Sequence, residues 1–276
     1  MEPETFRSRV AAQQAPLRVS AIVVVGNCAP SLEMCLRSVL AEPLVDELIL
    51  VDAGASRAVA SAMRGLQADR RDVRWLPARG TPPGHVAARN IGADRARGRF
   101  LLFLDADVVL QRGAVERLVK AGRLAKSPWI VGGGLSDPAG RPVGLRQYGF
   151  IGRRPTPVEL IDEAFLLIPR AEFFALGAFD ESYGLHGEAI DLCKRARQSG
   201  GAVWLQPVAE ATQFAGARAA SPIDDQVERA RAKVRFARKF ARSEWARLTV
   251  SVWAPLLIAA GAVRGALKAP LQRLLK

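Results

Sequence analysis

The chain has 276 residues, 49% of them hydrophobic, with 40 basic and 27 acidic side chains and a net charge of +13. That length and composition suit one large domain, or one domain plus a tail, with enough apolar material for a real core. Two histidines, His85 and His186, argue against a zinc enzyme. Cys28, Cys35 and Cys193 lack metal-ligand spacing and read as small core residues in a reducing compartment. The polar first sixteen residues do not resemble a signal peptide, and no apolar run is long enough to span a bilayer.

Residues 1–17 read as a flexible leader. Val19 to Val25 is a buried strand. Ser31 is placed to cap a helix whose apolar positions Leu32, Cys35, Leu36, Val39 and Leu40 keep helical spacing. Leu48 to Val51 is the next strand, ending at Asp52. A turn at Gly54 and Ser56 leads to a helix marked by Val59, Met63 and Leu66. Val73 to Leu76 is a short strand, followed by a turn-rich stretch from 77 to 84 and a helix over about 86–96. Then comes Arg-Phe-Leu-Leu-Phe-Leu-Asp-Ala-Asp, residues 99–107, and a helix marked by Val115, Leu118 and Val119. Strands alternating with helices through short connections predict a parallel sheet between helical layers. The Gly- and Pro-rich stretch 132–157 predicts loops and a mobile flap. A strand over Phe165–Ile168, helices over about 171–176 and 188–198, and a strand over Ala202–Gln206 complete the pattern.

The most informative stretch is 99–107. An apolar run buried on both faces ends in two carboxylates, Asp105 and Asp107, at the carboxyl end of a strand, where open α/β sheets place ligands. Side chains two apart in an extended segment point the same way, so the two acids are expected to face one direction. Adjacent carboxylates repel unless a cation sits between them, and a hard oxygen-preferring ion such as Mg²⁺ or Mn²⁺ suits them. A surface turn is the plain alternative. No G-x-G-x-x-G and no P-loop occurs after the first strand.

In order and spacing, the stretches over about 18–215 resemble the family 2 glycosyltransferases of GT-A fold, of the rhamnosyltransferase-like kind. The opening VSAIVVVGNCAPSLEMCLRSVL is similar to the family's first strand and helix. LILVDAGAS resembles the strand that ends in a base-contacting Asp. GHVAARNIGADRARGRFLLFLDAD is the nearest match, and FLLIPRAEFFALGAFDESYGLHGEAIDLCKRARQSG resembles the acceptor-side segment. The resemblance implies an α/β GT-A fold, with a mostly parallel central sheet flanked by helices. It implies a nucleotide-sugar site with Asn27, Asp52, Arg89, Asn90 and Asp105, of which Asp52, Arg89 and Asp105 are expected to line one pocket with Asp107 at its diphosphate end. It further implies a Mg²⁺ or Mn²⁺ ion on Asp107 with Asp105, and a catalytic base at Glu188 or Asp191.

The chain departs from that pattern in four places. The acceptor motif reads Glu188-Ala189 where the family has Glu-Asp. Thr212-Gln213 stands at the place of a frequent His. Val25-Gly26 replaces Thr-Tyr, and Ala53 replaces Asn. Each candidate also has a structural reading. Asp52 could cap a helix, Arg89 could be a solvated helix face, Asp191 could pair with Arg195 or Lys194, and His186 could be a loop residue.

Thirteen basic and four acidic side chains lie between Arg218 and Lys276, so nine of the thirteen excess charges sit there. A helix from about Asp225 carries Val227, Ala230, Val234, Ala237 and Ala241 on one stripe, with Phe236 and Phe240 beside it. Leu248 to Val263 is apolar and contains Trp253. Basic amphipathic segments of this kind lie in membrane interfaces and favour anionic lipid; a helix packed on the domain is the alternative. The expected organisation is a leader (1–17), a GT-A domain (18–217) and a basic tail (218–276). The expected protein is an inverting, metal-dependent transferase. It would take a nucleoside-diphosphate sugar to a lipid-linked or envelope glycan acceptor, from the inner face of the cell membrane. No nucleic-acid motif is present. The rivals are a catalytically degenerate nucleotide-sugar-binding or scaffold protein and a nucleotidyltransferase. Against the latter, no basic Gly-rich triphosphate loop occurs near residues 24–35.

Overall fold

Strand β1 (Val19–Val25) is buried at every position, as its apolar, β-branched sequence requires of a strand covered on both faces. The computed structural model describes residues 18–26, 31–77, 84–125, 127–144, 152–214, 222–241, 243–245, 253–256 and 258–260. After β1 come helix α1 (Leu32–Leu40), β2 (Val45–Asp52), α2 (Arg57–Asp69), β3 (Val73–Leu76) and α3 (His85–Arg95). Next are β4 (Phe100–Asp105), β5 (Val108–Leu110), α4 (Ala114–Gly122), β6 (Trp129–Ser136), β7 (Pro142–Val143), β8 (Thr156–Pro157) and β9 (Phe165–Pro169). The chain continues through α5 (Arg170–Ala175), α6 (Glu188–Gln198), β10 (Ala202–Gln213) and α7 (Pro222–Phe240).

The sheet runs in the order β3-β2-β1-β4-β9-β6-β10-β5, with β7 on β6 and β8 on β10. The four strands β3, β2, β1 and β4 are parallel, as the alternating pattern predicts. Beyond them the sheet is mixed: β9 is antiparallel to both β4 and β6, β10 is parallel to β6, and β5 is antiparallel to β10.

The loops expected over 132–157 begin instead as strand β6. Gly132 and Gly133 are there for space. A Cβ on Gly133 would lie 2.0 Å from the Phe165 ring, and one on Gly132 would lie 2.8 Å from Ile161. The strand forms because these residues have no side chain to displace. Residues 145–151 of the expected flap lie outside the described residues. Strand β10 extends past Gln206 to Gln213, with a register shift against β6 that takes up Pro207.

Side chains alternate between two cores. Leu48, Leu50, Leu102 and Leu104 face α1, α2 and α4, together with Cys35, Met63 and Leu118. Ile49, Val51, Leu101 and Phe103 face α3, α5 and α6, together with Val86, Phe173 and Leu192. Helix α7 joins this second core through Ala232 and Phe236. The alternative of a tail helix packed on the domain thus describes α7. Its buried residues are Ala232 and Val234, rather than the whole stripe from Val227 to Ala241.

Candidate functional site

Register sets the frame of the site. Val24 of β1 lies beside Val51 and Asp105, and Val25 lies beside Asp52. Asp52 and Asp105 therefore end the two strands that flank β1, at one carboxyl edge. Alternation continues Asp105 from the Leu101–Phe103 face and Asp52 from the Leu48–Leu50 face. The two carboxylates leave their strands toward opposite faces, and a ligand touching both must lie across the edge. The Asp52 carboxylate also closes its own turn, accepting from the backbone N–H of Gly54 at 3.0 Å and Ala55 at 2.9 Å. Ser56 caps α2.

Arg89 is the centre of the buried polar site. It is 1% exposed, on the sheet-facing side of α3. That helix sits close to the sheet because Gly92 has no side chain; a Cβ there would lie 2.5 Å from Ile22. Arg89 Nη2 donates to Asp105 Oδ1 at 2.6 Å and to the Glu163 carbonyl at 3.3 Å, and Nη1 donates to Glu188 Oε1. One turn earlier on α3, His85 Nε2 stands 3.8 Å from Asp105 Oδ1. A buried guanidinium needs such partners, and removing one leaves an uncompensated charge at a cost of about 3–5 kcal/mol.

Glu188 opens α6 and is fully buried. Burial pushes its carboxyl up to about 7, against the pull of Arg89 and with help from the Glu163 charge. The direction follows from desolvation, which the single guanidinium shared between two carboxylates does not offset. Among the described residues Glu188 Oε2 has no hydrogen-bond partner. A carboxylate with one oxygen held and the other unengaged, titrating near neutral pH, can accept a proton from a bound hydroxyl.

Asp107 lies in the turn between β4 and β5. Strand β4 ends at Asp105 and a turn follows, so the extended geometry that would align the two acids stops one residue short. Asp105 meets Arg89 on the α3 side. The Asp107 charge acts on Cys35 of α1, whose thiol is pushed up by burial first and by Asp107 second. The last residues of β10 flank Asp107. Its carbonyl accepts from Phe214 N at 2.8 Å, and Gln213 pairs with Val108. Gln213 thus stands where the resemblance led one to expect a His. No group of three or more His, Cys, Asp or Glu side chains gathers as a cation cage among the described residues. Asp105 gives Oδ1 to Arg89, so the oxygens that could hold a cation here are those of Asp107 and Oδ2 of Asp105. That donor set fits Mg²⁺ or Mn²⁺ completed by phosphate oxygens and water, and does not fit a resident ion.

The remaining candidates are structurally engaged. The Asn90 amide grips the turn before α6, donating to the Phe179 carbonyl at 2.9 Å and accepting from Phe179 N at 3.1 Å. It holds Ala178, whose φ of 57° is left-handed. Asp191 is bound by Arg195 at 2.7 Å and Lys239 at 2.7 Å, with the Tyr183 hydroxyl at 3.4 Å. Asn27 lies outside the described residues.

Sequence reasoning missed the group around His186. That ring joins Glu163 to Asp225 of α7, and Arg229 bonds Asp225 at 2.9 Å. A cavity of about 550 Å³ opens beside them, with Asp162, Glu163 and Ile190 on one wall and Arg229, Lys233 and Phe236 of α7 on the other. Burial, then the neighbouring Glu163 charge, pushes Asp162 up to about 6. The acidic pair before the apolar run of β9 was the one available signal.

Residues 20–123, from β1 into the helix after the two acids, match the family described as Glycosyl transferase family 2. Over that stretch the chain is similar to the glycosyl transferase family 2. Over 143 residues it is 29% identical to the pre-mycofactocin glycosyltransferase of Mycobacterium tuberculosis, a match covering 46% of this chain and 29% of that protein. The chain thus spans under a third of the length of the curated relative it matches. Its fold is similar to that of the mannosyltransferase PcManGT from Pyrobaculum calidifontis, solved with GDP-Man and Mn²⁺. That likeness has a TM-score of 0.62 at 19% identity, over 99% of this chain and 86% of that one. It is also similar to S. aureus TarS 1–349 solved with UDP-GlcNAc, with a TM-score of 0.61 at 14% identity, over 84% of this chain and 69% of that one. GalNAc-T7 with UDP, GalNAc and Mn²⁺ gives 0.62 at 18% identity, over 73% and 44% of the two chains. The matched segment thus lies within a GT-A fold.

Proposed function

We propose that the chain is an inverting glycosyltransferase that moves a sugar from a nucleoside-diphosphate donor to a hydroxyl of a lipid-linked or envelope glycan acceptor. The observation that carries this reading is the buried Arg89–Asp105–Glu188 cluster, at the carboxyl edge of β4 within a family 2 segment. The donor nucleotide lies across the end of β1, between Asp52 and Asp105. Asp105 is held in place by Arg89 and presents its carboxylate to the ribose side, while Asp107 faces the diphosphate. A divalent ion bound there would supply Lewis-acid stabilisation of the leaving diphosphate. Glu188 takes the proton of the attacking hydroxyl; its carboxyl at about 7 suits a base at neutral pH. Asp191, tied to Arg195 and Lys239, is assigned to holding α7 on α6. Replacing Glu188 with Gln should lower turnover by ~10² or more with donor affinity unchanged. Full activity in that variant would remove Glu188 from the role.

A second reading has one observation in its favour. Ala189, at the place of the resemblance's catalytic Asp, is fully buried in the core and presents no polar group. Donor binding without transfer to any acceptor would make the chain a nucleotide-sugar-binding protein.

We also place the protein on the inner face of a membrane through its basic tail. In support, Trp245, Trp253 and Leu256 are 80%, 55% and 60% exposed, and the charge excess lies in the same region. Among the described residues no helix is long and apolar enough to cross a membrane.

A further inference from the structure

His186 lies between two carboxylates that belong to different parts of the fold. Its Nδ1 is 3.2 Å from Glu163 Oε1, just ahead of β9, and its Nε2 is 2.7 Å from Asp225 Oδ1, in the first turn of α7. A neutral imidazole has one N–H and one lone pair, so it could satisfy one ionised carboxylate while turning its lone pair on the other. Only the imidazolium donates to both. We propose that His186 is a positioning residue: an imidazolium clamp that holds the start of α7 over the cavity beside Glu188, so that deprotonation opens the cavity. What the cavity admits rests on the transferase reading; the clamp itself does not.

The charges around the ring favour the proton. Glu163, with Asp162 beside it, faces the ring from the approach to β9. Asp225 and Arg229 face it from α7, and Glu188 acts from α6. Burial and Arg229 oppose the positive ring, but Glu163 and Asp225 outweigh them, and the His186 pKa is raised above its ordinary value. Glu163 and Asp225 are correspondingly held below the usual carboxylate range, against burial.

The geometry also says how α7 would move. Its far end is fixed separately, by Lys239 to Asp180 at 2.6 Å and to Asp191 at 2.7 Å. Loss of the His186 proton therefore loosens the first turns, from Asp225 to Arg229 at the rim of the cavity, and widens its mouth beside the wall of Asp162 and Glu163, while Ala232, Phe236 and Lys239 keep the rest of α7 docked. That wall also seats the reaction centre, because the Glu163 carbonyl accepts from Arg89.

The test uses the full chain with isotope-labelled histidine. Only His85 and His186 give imidazole signals, and H186Q assigns the second by removing it. His186 should titrate above the ordinary ~6.5, and D225N should lower that value. Amides in the first two turns of α7, corrected for intrinsic exchange, should exchange about tenfold faster across the titration, as loss of a charge-assisted hydrogen bond implies. Amides near Lys239 should not change. In H186Q the first turns should exchange at the fast level at every pH. Titration of His186 at or below 6.5, or α7 protection flat across it, would overturn the clamp. If the clamp titrates as expected but no donor binds, the transferase reading fails and the clamp stands.

Discussion

Glu188 is the residue whose environment makes the sharpest thermodynamic statement. Its carboxyl rises from an ordinary 4.5 to about 7 in the fold, so the folded protein holds that proton more tightly than the unfolded chain does. The stability linked to it is complete below about 4.5 and is lost as pH rises through about 7. At about 1.4 kcal/mol per pH unit, the gap sets about 3 kcal/mol as the largest effect. A Gln at 188 keeps the shape and a polar contact to Arg89 but does not titrate. The stability difference, wild type minus E188Q, should therefore shift by about 2–3 kcal/mol in favour of the variant between pH 4.5 and pH 8. Urea unfolding of both proteins at five pH values measures it directly. Acids remote from Glu188 titrate alike in both proteins and cancel, whereas Glu163 and His186, which share its field, contribute to the measured difference. Parallel stability curves, with a constant offset at every pH, would refute the argument that burial raises this carboxyl.

Three further outcomes are expected. G92A should be destabilised by about 1–3 kcal/mol, because the new methyl must push α3 off Ile22, and donor affinity should fall with the displaced Arg89; thermal unfolding and calorimetry read both. Q213H should tighten Mn²⁺ binding several-fold in the presence of a nucleoside diphosphate, by adding a ligand beside Asp107; unchanged affinity would mean that the end of β10 does not reach the ion. Flotation of the full chain with anionic vesicles should be salt-sensitive and should weaken when Trp245 and Trp253 become Ala; equal partitioning would remove the tail's membrane role.

Much of the sheet was legible because its central strands are continuous apolar runs, which admit few structures besides strands buried on both faces. β1, β2 and β4 are of this kind, and the helices between them keep a plain 3.6-residue period. Strand β6 was not legible. Its three glycines look like a loop until Ile161 and Phe165, packed from outside the strand, explain why side chains are excluded at Gly132 and Gly133. The turn after Asp105, which ends the alternation relating the two acids, was not legible either. In the site, Arg89 and Asp105 lie sixteen residues apart on adjacent elements, yet Arg89 was placed near the nucleotide only by the resemblance, since helical spacing alone left it a solvated face. Glu188 lies ninety-nine residues from Arg89 and was found only through the resemblance. His186 gave no sign of its role, because its two partners come from separate elements that no periodicity connects.

The central claim is a nucleotide-sugar site at the carboxyl edge of β1 and β4 that recruits its metal through Asp107. Calorimetry of UDP-, GDP- and dTDP-sugars, each with and without Mn²⁺, on the wild type and on Asp107→Asn tests it most directly. The account predicts that at least one donor binds the wild type with Mn²⁺-enhanced affinity and that D107N, still folded, loses the enhancement. Binding that is indifferent to Mn²⁺ and to D107N, or no binding by any donor, would contradict it.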